Sequence, residues 1–267
     1  MDKIIIVGAG HAGGKLTRYL FENNFQGEVL LFGDENYEPY ERPPLSKSFL
    51  SSKKKINEFS VFASDIYHSK NYSINLNKKI FKINLEDKKV YDYDGTVYNF
   101  DKIVFANGAS PKKISINNSE KVNYLRTIDD SIQIKSSIEK VDNLVILGAG
   151  FIGLEIASTI RQEYPNIKIH VIDSSKNILQ RNSNNTIRNK IFNIHKNNNI
   201  NFYFNNQISE IVLDKRNNIK NIVLSNQEHI LADMIVIGIG VQPNTEIIEN
   251  SKIDVQNGIK VNEYLQS

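Results

Sequence analysis

Two short apolar runs close on the same glycine signature, one in each half of the chain. They are Ile4-Ile5-Ile6-Val7-Gly8-Ala9-Gly10 and Leu144-Val145-Ile146-Leu147-Gly148-Ala149-Gly150. An amphipathic stretch follows each. A continuous apolar run of this length, closed by glycines and followed by helical periodicity, reads as a buried parallel strand, a tight turn and a helix. The offset is constant at 140, so Gly8, Gly10 and Gly13 correspond to Gly148, Gly150 and Gly153. A second repeat has an offset of 132. Residues Asp101 to Gly108 precede Pro111, and residues Asp233 to Gly240 precede Pro243. Both segments read as a buried strand running into a glycine turn. Two copies of one α/β nucleotide-binding fold account for both repeats. Between these marks, residues 74–98 carry short strands with a hairpin signal at Asp94-Gly95, and residues 201–231 carry a similar meander around Arg216-Asn217-Asn218. A helix is expected within residues 183–200.

The glycine spacing carries chemistry. In a strand–turn–helix fingerprint the first glycine permits the tight turn. The second lets the backbone approach a pyrophosphate, and the third lets the helix pack close to the strand. The helix N-terminus then offers free N–H groups and partial positive charge to the phosphates. The alternative is two glycine-rich turns that bind nothing. An acidic residue ending the second strand hydrogen-bonds a ribose hydroxyl. In the second copy this is Asp173, 25 residues after Gly148. A carboxylate there accepts from a free 2′-OH and repels a 2′-phosphate, which favours NADH over NADPH. In the first copy the same spacing falls on Gly33, with Asp34 and Glu35 beside it; Asp34 is the candidate.

Composition removes other classes. The 267 residues hold no cysteine, so disulfides, thiolate metal sites and cysteine nucleophiles are excluded within this span. The five histidines lack metal-ligand spacing, and no metal site is expected. No apolar run is long enough for a membrane span, and the N-terminus enters a strand at once, so a cytoplasmic protein is expected. The net charge is only +3, and Lys53-Lys54-Lys55 reads as a solvated loop rather than a nucleic-acid site.

Several segments together resemble one family. GAGHAGG at 8–14, GDENYEPYERPPLSK at 33–47, YLRTIDD at 124–130, LGAGFIGLEIA at 147–157, VIDSSKNILQR at 171–181, IGIGVQPN at 237–244 and NGIKVNEYLQ at 257–266 are similar to the FAD-dependent ferredoxin and rubredoxin reductases of oxygenase systems. The resemblance implies a glutathione reductase-like pair of Rossmann-like three-layer domains. One is a FAD domain at 1–113 and 241–267, the other an NADH domain at 114–240. It implies that Gly8, Gly10, Ala12, Gly13 and Asp34 hold the pyrophosphate and adenosine end of FAD. It places Arg42 and Lys47 at the flavin, Ile80 against adenine through its backbone, and Ala106, Gly108 and Arg126 among the remaining FAD contacts. Gly148, Gly150, Ile152, Gly153 and Asp173 would hold NADH. Glu155 would approach the nicotinamide and pair with Lys47, and Gly238 and Gly240 would pass close to the bound cofactor. From the residues alone, Lys47 also reads as a surface lysine after a proline-rich turn, and Glu155 as a first-turn complement to a helix dipole.

In the resembled family a Gly-Asp motif and a further domain of roughly 100 residues, an ordinary domain size, follow the point reached by Ser267. The expectation is therefore an incomplete FAD half beside a complete NADH half. Asn107 stands where the family carries Thr. Three readings follow. The chain passes electrons from NADH through flavin to a ferredoxin- or rubredoxin-type iron–sulfur carrier, or it is a truncated non-catalytic binder or one part of a split flavoprotein completed by a separate chain. In the third reading it is a nucleotide-binding sensor.

Overall fold

A computed structural model describes residues 2–61, 64–180, 183–249 and 251–267. Its contacts divide the chain into two units. The first comprises Met1–Arg42, Ile56–Ser110 and Gln242–Ser267; the second comprises Pro43–Lys55 and Pro111–Val241.

The first unit runs β1 (Lys3–Val7), α1 (His11–Glu22), β2 (Glu28–Phe32), β3 (Tyr72–Asn75), a meander of β4 (Ile80–Asn84), β5 (Lys89–Asp92) and β6 (Val97–Asn99), and β7 (Lys102–Phe105). The chain leaves along β8 (Ala109–Pro111). The second unit runs β9 (Asn123–Tyr124), α2 (Ile128–Ile138), β10 (Asn143–Leu147), α3 (Phe151–Glu163), β11 (Lys168–Asp173), α4 (Asn185–Asn197), β12 (Ile200–Phe204), a meander of β13 (Ile208–Leu213), β14 (Ile219–Leu224) and β15 (His229–Leu231), and β16 (Met234–Ile237). The return passes through β17 (Val241–Pro243) and ends with the short pair β18 (Val255–Gln256) and β19 (Gly258–Ile259).

The two parallel sheets are copies. Their orders are β3-β2-β1-β7 and β12-β11-β10-β16, the second extended by β9 beyond β16. Even the register repeats: Lys3 faces Glu28 and Ile4 faces Lys102, while Asn143 faces Lys168 and Leu144 faces Met234. The carboxylate ahead of the last strand repeats its hydrogen bond as well. Asp101 accepts from Lys3 N at 2.7 Å, and Asp233 accepts from Asn143 N at 2.8 Å.

Side-chain alternation explains the layers. In a strand successive residues face opposite sides, and a parallel sheet buried on both faces must be apolar at every position. Ile4, Ile6, Val29 and Leu31 meet Leu16, Leu20 and Phe21 of α1, whereas Ile5, Val7, Leu30 and Phe32 meet Ile80 and Val90 of the meander. In the second unit Leu144, Ile146, Ile169 and Val171 meet the helices, and Val145, Leu147 and Ile172 meet Ile208, Ile211, Ile222 and Leu224. Each fully buried Ile or Leu contributes about 2 kcal/mol. Each unit is thus a helix layer, a parallel sheet and an antiparallel meander, the three-layer architecture that the resemblance implies.

Residues 43–55 depart from the sequence expectation, which placed them in the first domain. They pack in the second unit. Ser131 Oγ donates to Leu45 O at 2.9 Å, Thr159 Oγ1 donates to Ser46 O at 2.8 Å, and Leu50 is buried in the second unit's core. The asparagine-rich helix forms as α4, with asparagines at both caps as well as at 185, 189, 193 and 197 within it. Asn184 caps the N-terminus through Ile187 N, and Asn198 takes the C-cap. Arg181, the end of the run 171–181, lies outside the described residues. Among the described residues no helix is long and apolar enough to cross a membrane.

Candidate functional site

In the first unit, Gly8 ends β1 with φ +112, a conformation that L side chains rarely adopt. A Cβ there would fall on the Ala106 carbonyl, so strand exit and β7 end in backbone contact. A Cβ on Gly13 would fall on the Gly8 carbonyl, which is the helix–strand close approach. Gly10 differs. The nearest atom to its Cβ would be Arg42 Nη2, 4.0 Å away. The chain thus needs glycine at 8 and 13 for its own packing, and leaves open space at 10 for a group that comes from outside.

The second unit repeats this. Gly148 has φ +114, and its Cβ would fall on the Gly238 carbonyl. A Cβ on Gly153 would fall on the Gly148 carbonyl, and among the described residues a Cβ on Gly150 would meet nothing within 4 Å. Gly240, like Gly108 in the first unit, has positive φ beside the loop.

Helix capping separates these helices from the others. Thr127 and Asp130 form a reciprocal capping box on α2, and Asn184 caps α4. Among the described residues no side chain caps α1 or α3, whose N-caps are Gly10 and Gly150, and neither carries an acidic residue in its first turn. Both N-termini leave backbone donors and positive dipole charge at the glycine loop, the arrangement that fits a pyrophosphate. Ala12 and Ile152 lie in these first turns.

The units differ at the end of the second strand. Asp173 accepts from Ala149 N and from Ser175 N, each at 2.7 Å, so one carboxylate ties the glycine loop to the strand end. A carboxylate has about four acceptor sites, so two remain. In the first unit the matching residue is Gly33, whose Cβ would stand 2.5 Å from the Ala9 methyl. The sequence read this position only as a missing acid; its cause is the close approach of Ala9. The acidic groups move along the chain. Asp34 lines a cavity of about 410 Å³ with Gly8, Gly33, Lys78, Ile80 and Asn107. Glu35, which sequence reasoning passed over, takes Arg42 Nη2 at 2.7 Å and Tyr40 OH at 2.5 Å, and Arg42 Nη1 donates to Tyr40 OH at 3.0 Å. These bonds hold the guanidinium at the open side of Gly10.

The cavity sits at the carboxyl ends of β1 and β2, where ligands of such sheets bind. Its meander wall is ordered by Asp92, only 1% exposed, which accepts from Thr96 N at 2.8 Å, Tyr98 OH at 3.1 Å and Lys78 Nζ at 3.3 Å. Burial pushes the Asp92 carboxyl up, but these three donors outweigh it and hold it below the ordinary carboxylate range. Lys78 also pairs with Asp94, and that bond holds its ammonium above the usual range. Asn107 and Asn244 exchange side-chain-to-backbone bonds in both directions, so asparagine at 107 ties the end of β7 to the returning chain.

Lys47 Nζ meets Glu155 Oε1 at 2.7 Å, and Ser46 Oγ donates to Glu155 Oε2 at 2.5 Å. Glu155, Thr159 and Glu163 lie at successive i+4 positions on α3, and each receives part of 43–55: Lys47 with Ser46, the Ser46 carbonyl, and Lys53 at 2.6 Å. One expectation is corrected. Glu155 begins the second turn of α3, so it is not a first-turn dipole complement. Lys53, Lys54 and Lys55 are exposed, as the solvated-loop reading expects, and Lys53 pairs with Glu163 at the surface. Lys47 and Arg126, assigned with the FAD residues by resemblance, both belong to the second unit; Arg126 directly precedes the α2 capping box. A larger cavity, about 820 Å³, lies against β12 and α4 and is lined by Arg161, Lys168, Lys196, Phe192, Phe202 and Phe204. No glycine-loop residue lines it, so size does not locate the dinucleotide site; the loop geometry does. Among the described residues no three His, Asp or Glu side chains cluster to hold a metal.

The pyridine nucleotide-disulphide oxidoreductase family model matches residues 2–267. The chain is 29% identical over 269 residues to the ferredoxin–NAD(+) reductase component of the p-cumate 2,3-dioxygenase system of Pseudomonas putida, covering 100% of this chain and 65% of that protein. It is 31% identical over 273 residues to the rubredoxin-NAD(+) reductase of Ectopseudomonas oleovorans, covering 98% and 68%. The solved covalent putidaredoxin reductase–putidaredoxin complex superposes with a TM-score of 0.93 at 26% identity, over 99% of this chain and 64% of that one. The chain thus spans about two thirds of the length of these relatives. Fold, fingerprints and similarity agree: the chain belongs to the pyridine nucleotide-disulphide oxidoreductase family.

Proposed function

We propose that this chain is an FAD-dependent NADH oxidoreductase that passes electrons from NADH through flavin to a small iron–sulfur carrier of the ferredoxin or rubredoxin type. The observation that carries the reading is the paired design of the two units. Each has a glycine with open space at the mouth of an uncapped helix, and glycines that only close backbone packing can explain on either side.

The first unit is assigned FAD. Gly8, Gly10, Ala12 and Gly13 present the amides of α1 to the pyrophosphate, and Arg42 adds a guanidinium held by Glu35. Asp34 and the Ile80 backbone line the adenosine cavity, and Ala106 and Gly108 close the loop from β7. The second unit is assigned NADH. Gly148, Gly150, Ile152 and Gly153 meet its pyrophosphate, Asp173 its adenosine ribose, and Gly238 and Gly240 flank the loop. Asp173 favours NADH over NADPH by charge. FAD, when bound, supplies the exchange between a two-electron hydride donor and one-electron acceptors. Lys47, held by Glu155, would supply a cation able to stabilise negative charge on a reduced flavin. Arg126 is carried among the FAD contacts by resemblance alone. The names of the relatives, which include ferredoxin and rubredoxin reductases, support the acceptor class.

Purification tests the reading. A yellow protein whose visible flavin band bleaches on anaerobic NADH addition, and recovers with a one-electron acceptor such as ferricyanide, is the expected result. Bound flavin that NADH fails to bleach sinks the enzyme claim. A colourless protein that binds NADH identifies a nucleotide-binding protein instead.

A further inference from the structure

The cavity beside Asp34 is walled on its meander side by two aromatic rings that the glycine fingerprints do not explain. Phe81 on β4 is 44% exposed, and Tyr93, at the β5–β6 turn, is 68% exposed. Their ring centroids are 4.8 Å apart at 35°, and both line the cavity with Lys78 and Ile80. Exposed rings of this size are usually buried or partnered, because leaving them in water forfeits a large apolar contact. Nothing in the meander's packing needs them outside: its core is made by Ile80, Val90 and Phe100.

The pair is also held in place. Asp92 and Asp94 flank Tyr93 in sequence, and both pair with Lys78. Thr96 N donates to Asp92 Oδ1 at 2.8 Å, and Gly95, with φ +82, makes the turn. Lys78 N in turn donates to Gly33 O at 2.7 Å. One lysine therefore ties the hairpin tip carrying Tyr93 to the start of β4 carrying Phe81, and ties both to the strand end beside Asp34. A buried carboxylate spent on fixing a surface hairpin points to a position that matters.

We propose that Phe81 and Tyr93 form an aromatic shelf that stacks the adenine of the dinucleotide in the first unit, with Lys78 as the positioning residue that sets the shelf through Asp92 and Asp94. This rests on the assignment of FAD to that unit and adds residues to it. The glycine loop grips the phosphates of any dinucleotide; the shelf makes the grip depend on the base. Base–aromatic stacking is worth about 1–3 kcal/mol per base, which corresponds to about 5- to 150-fold in affinity.

Equilibrium dialysis of the apoprotein against FAD and against FMN, which lacks the adenylate, separates the two layers. Tyr93→Ala and Phe81→Ala are expected to weaken FAD about 10-fold each and leave FMN unchanged, while Tyr93→Phe keeps FAD affinity. Lys78→Met is expected to weaken FAD alone, with circular dichroism unchanged. If wild-type protein binds FAD and the Phe81→Ala, Tyr93→Ala double variant binds it equally well, the shelf is overturned and the FAD assignment stands. Equal weakening of FAD and FMN in the alanine variants also overturns the shelf, because the damage is then to the fold. If wild-type protein takes up neither flavin, the FAD assignment and the shelf fall together.

Discussion

The two units are the same fold with the same glycine loop, yet they spend charge differently at the end of the second strand. The second unit puts Asp173 there and uses it on its own backbone, through Ala149 N and Ser175 N. The first unit puts Gly33 there, lets Ala9 approach, and carries its carboxylates one and two residues on. Glu35 then holds Arg42 at the open side of Gly10, and among the described residues no guanidinium is within 4 Å of the Cβ position at Gly150. The first unit thus places a fixed cation beside its open glycine. The second unit keeps its strand-end carboxylate on the loop backbone, while in the first unit Asp34 lines a walled cavity.

The sharpest way to break the comparison is at the glycines that both units share. Gly13→Val and Gly153→Val each drive a side chain into the carbonyl of the loop's first glycine. Each is expected to destabilise its own unit by about 3 kcal/mol or more, read from urea denaturation. If either variant keeps wild-type stability, the close-approach account of that glycine fails. Gly10→Val and Gly150→Val test the converse. Each Cβ enters open space, so stability is expected to hold while FAD or NADH affinity, respectively, falls about 100-fold, or about 2.8 kcal/mol. Loss of both ligands in either variant would show that the units are not independent sites.

A smaller effect distinguishes the units. Glu35→Gln removes the charge that aims Arg42, and a hydrogen bond to a charged group contributes about 1.5–3 kcal/mol. FAD affinity is expected to fall about 10-fold with NADH affinity intact. The matching change in the second unit, Asp173→Asn, is expected to weaken NADH and narrow its advantage over NADPH, with FAD unaffected. Titrations of both nucleotides against both variants check the crossing pattern. If Glu35→Gln leaves FAD binding untouched, the guanidinium has no part in that site.

Residues close in sequence, or repeated at a fixed offset, made the architecture legible. The fingerprints at Gly8 and Gly148, the strand repeats ending at Gly108 and Gly240, and the turn at Asp94-Gly95 are local signals, and a duplicated fold shows them twice. Ser131 with Leu45 and Thr159 with Ser46 are contacts across 86 and 113 residues. No periodicity encodes them, so the motif at 43–55 is legible in the sequence while its packing in the second unit is not. The Glu35–Tyr40–Arg42 group was hidden for a different reason. A spacing rule anchored on Gly8 arrives at Gly33 and stops at the nearest acid, while the carboxylate that reaches Arg42 is one residue further. The pairing of Lys47 with Glu155 came from resemblance alone, and its physical basis is the i+4 ladder of α3 that receives the segment.

The smallest expected effect sharpens the comparison through acid. Leu30 in β2 faces Ile5, and the corresponding His170 in β11 faces Val145. Both side chains lie on the meander side of their sheets. His170 stacks near Tyr203, with ring centroids 5.8 Å apart and Nδ1 3.3 Å from the hydroxyl. Burial pushes its pKa below the ordinary histidine value; Lys168 pushes the same way, and Glu228 opposes. A depressed folded pKa means that the unfolded chain takes up the proton first as pH falls. The stability His170 contributes is therefore complete above about 6.5, the unfolded value, and is lost as pH drops from there through the folded pKa. Leu30 has no such proton, so the second unit is expected to lose stability between neutral and mildly acidic pH in a way the first does not share. His170→Leu is expected to flatten that part of the second unit's denaturation midpoint against pH. Leu30→His is expected to introduce the same slope into the first unit. An unchanged slope in His170→Leu would assign the acid sensitivity to carboxylates instead, and the two units would then differ in their ligand chemistry but not in their response to protons.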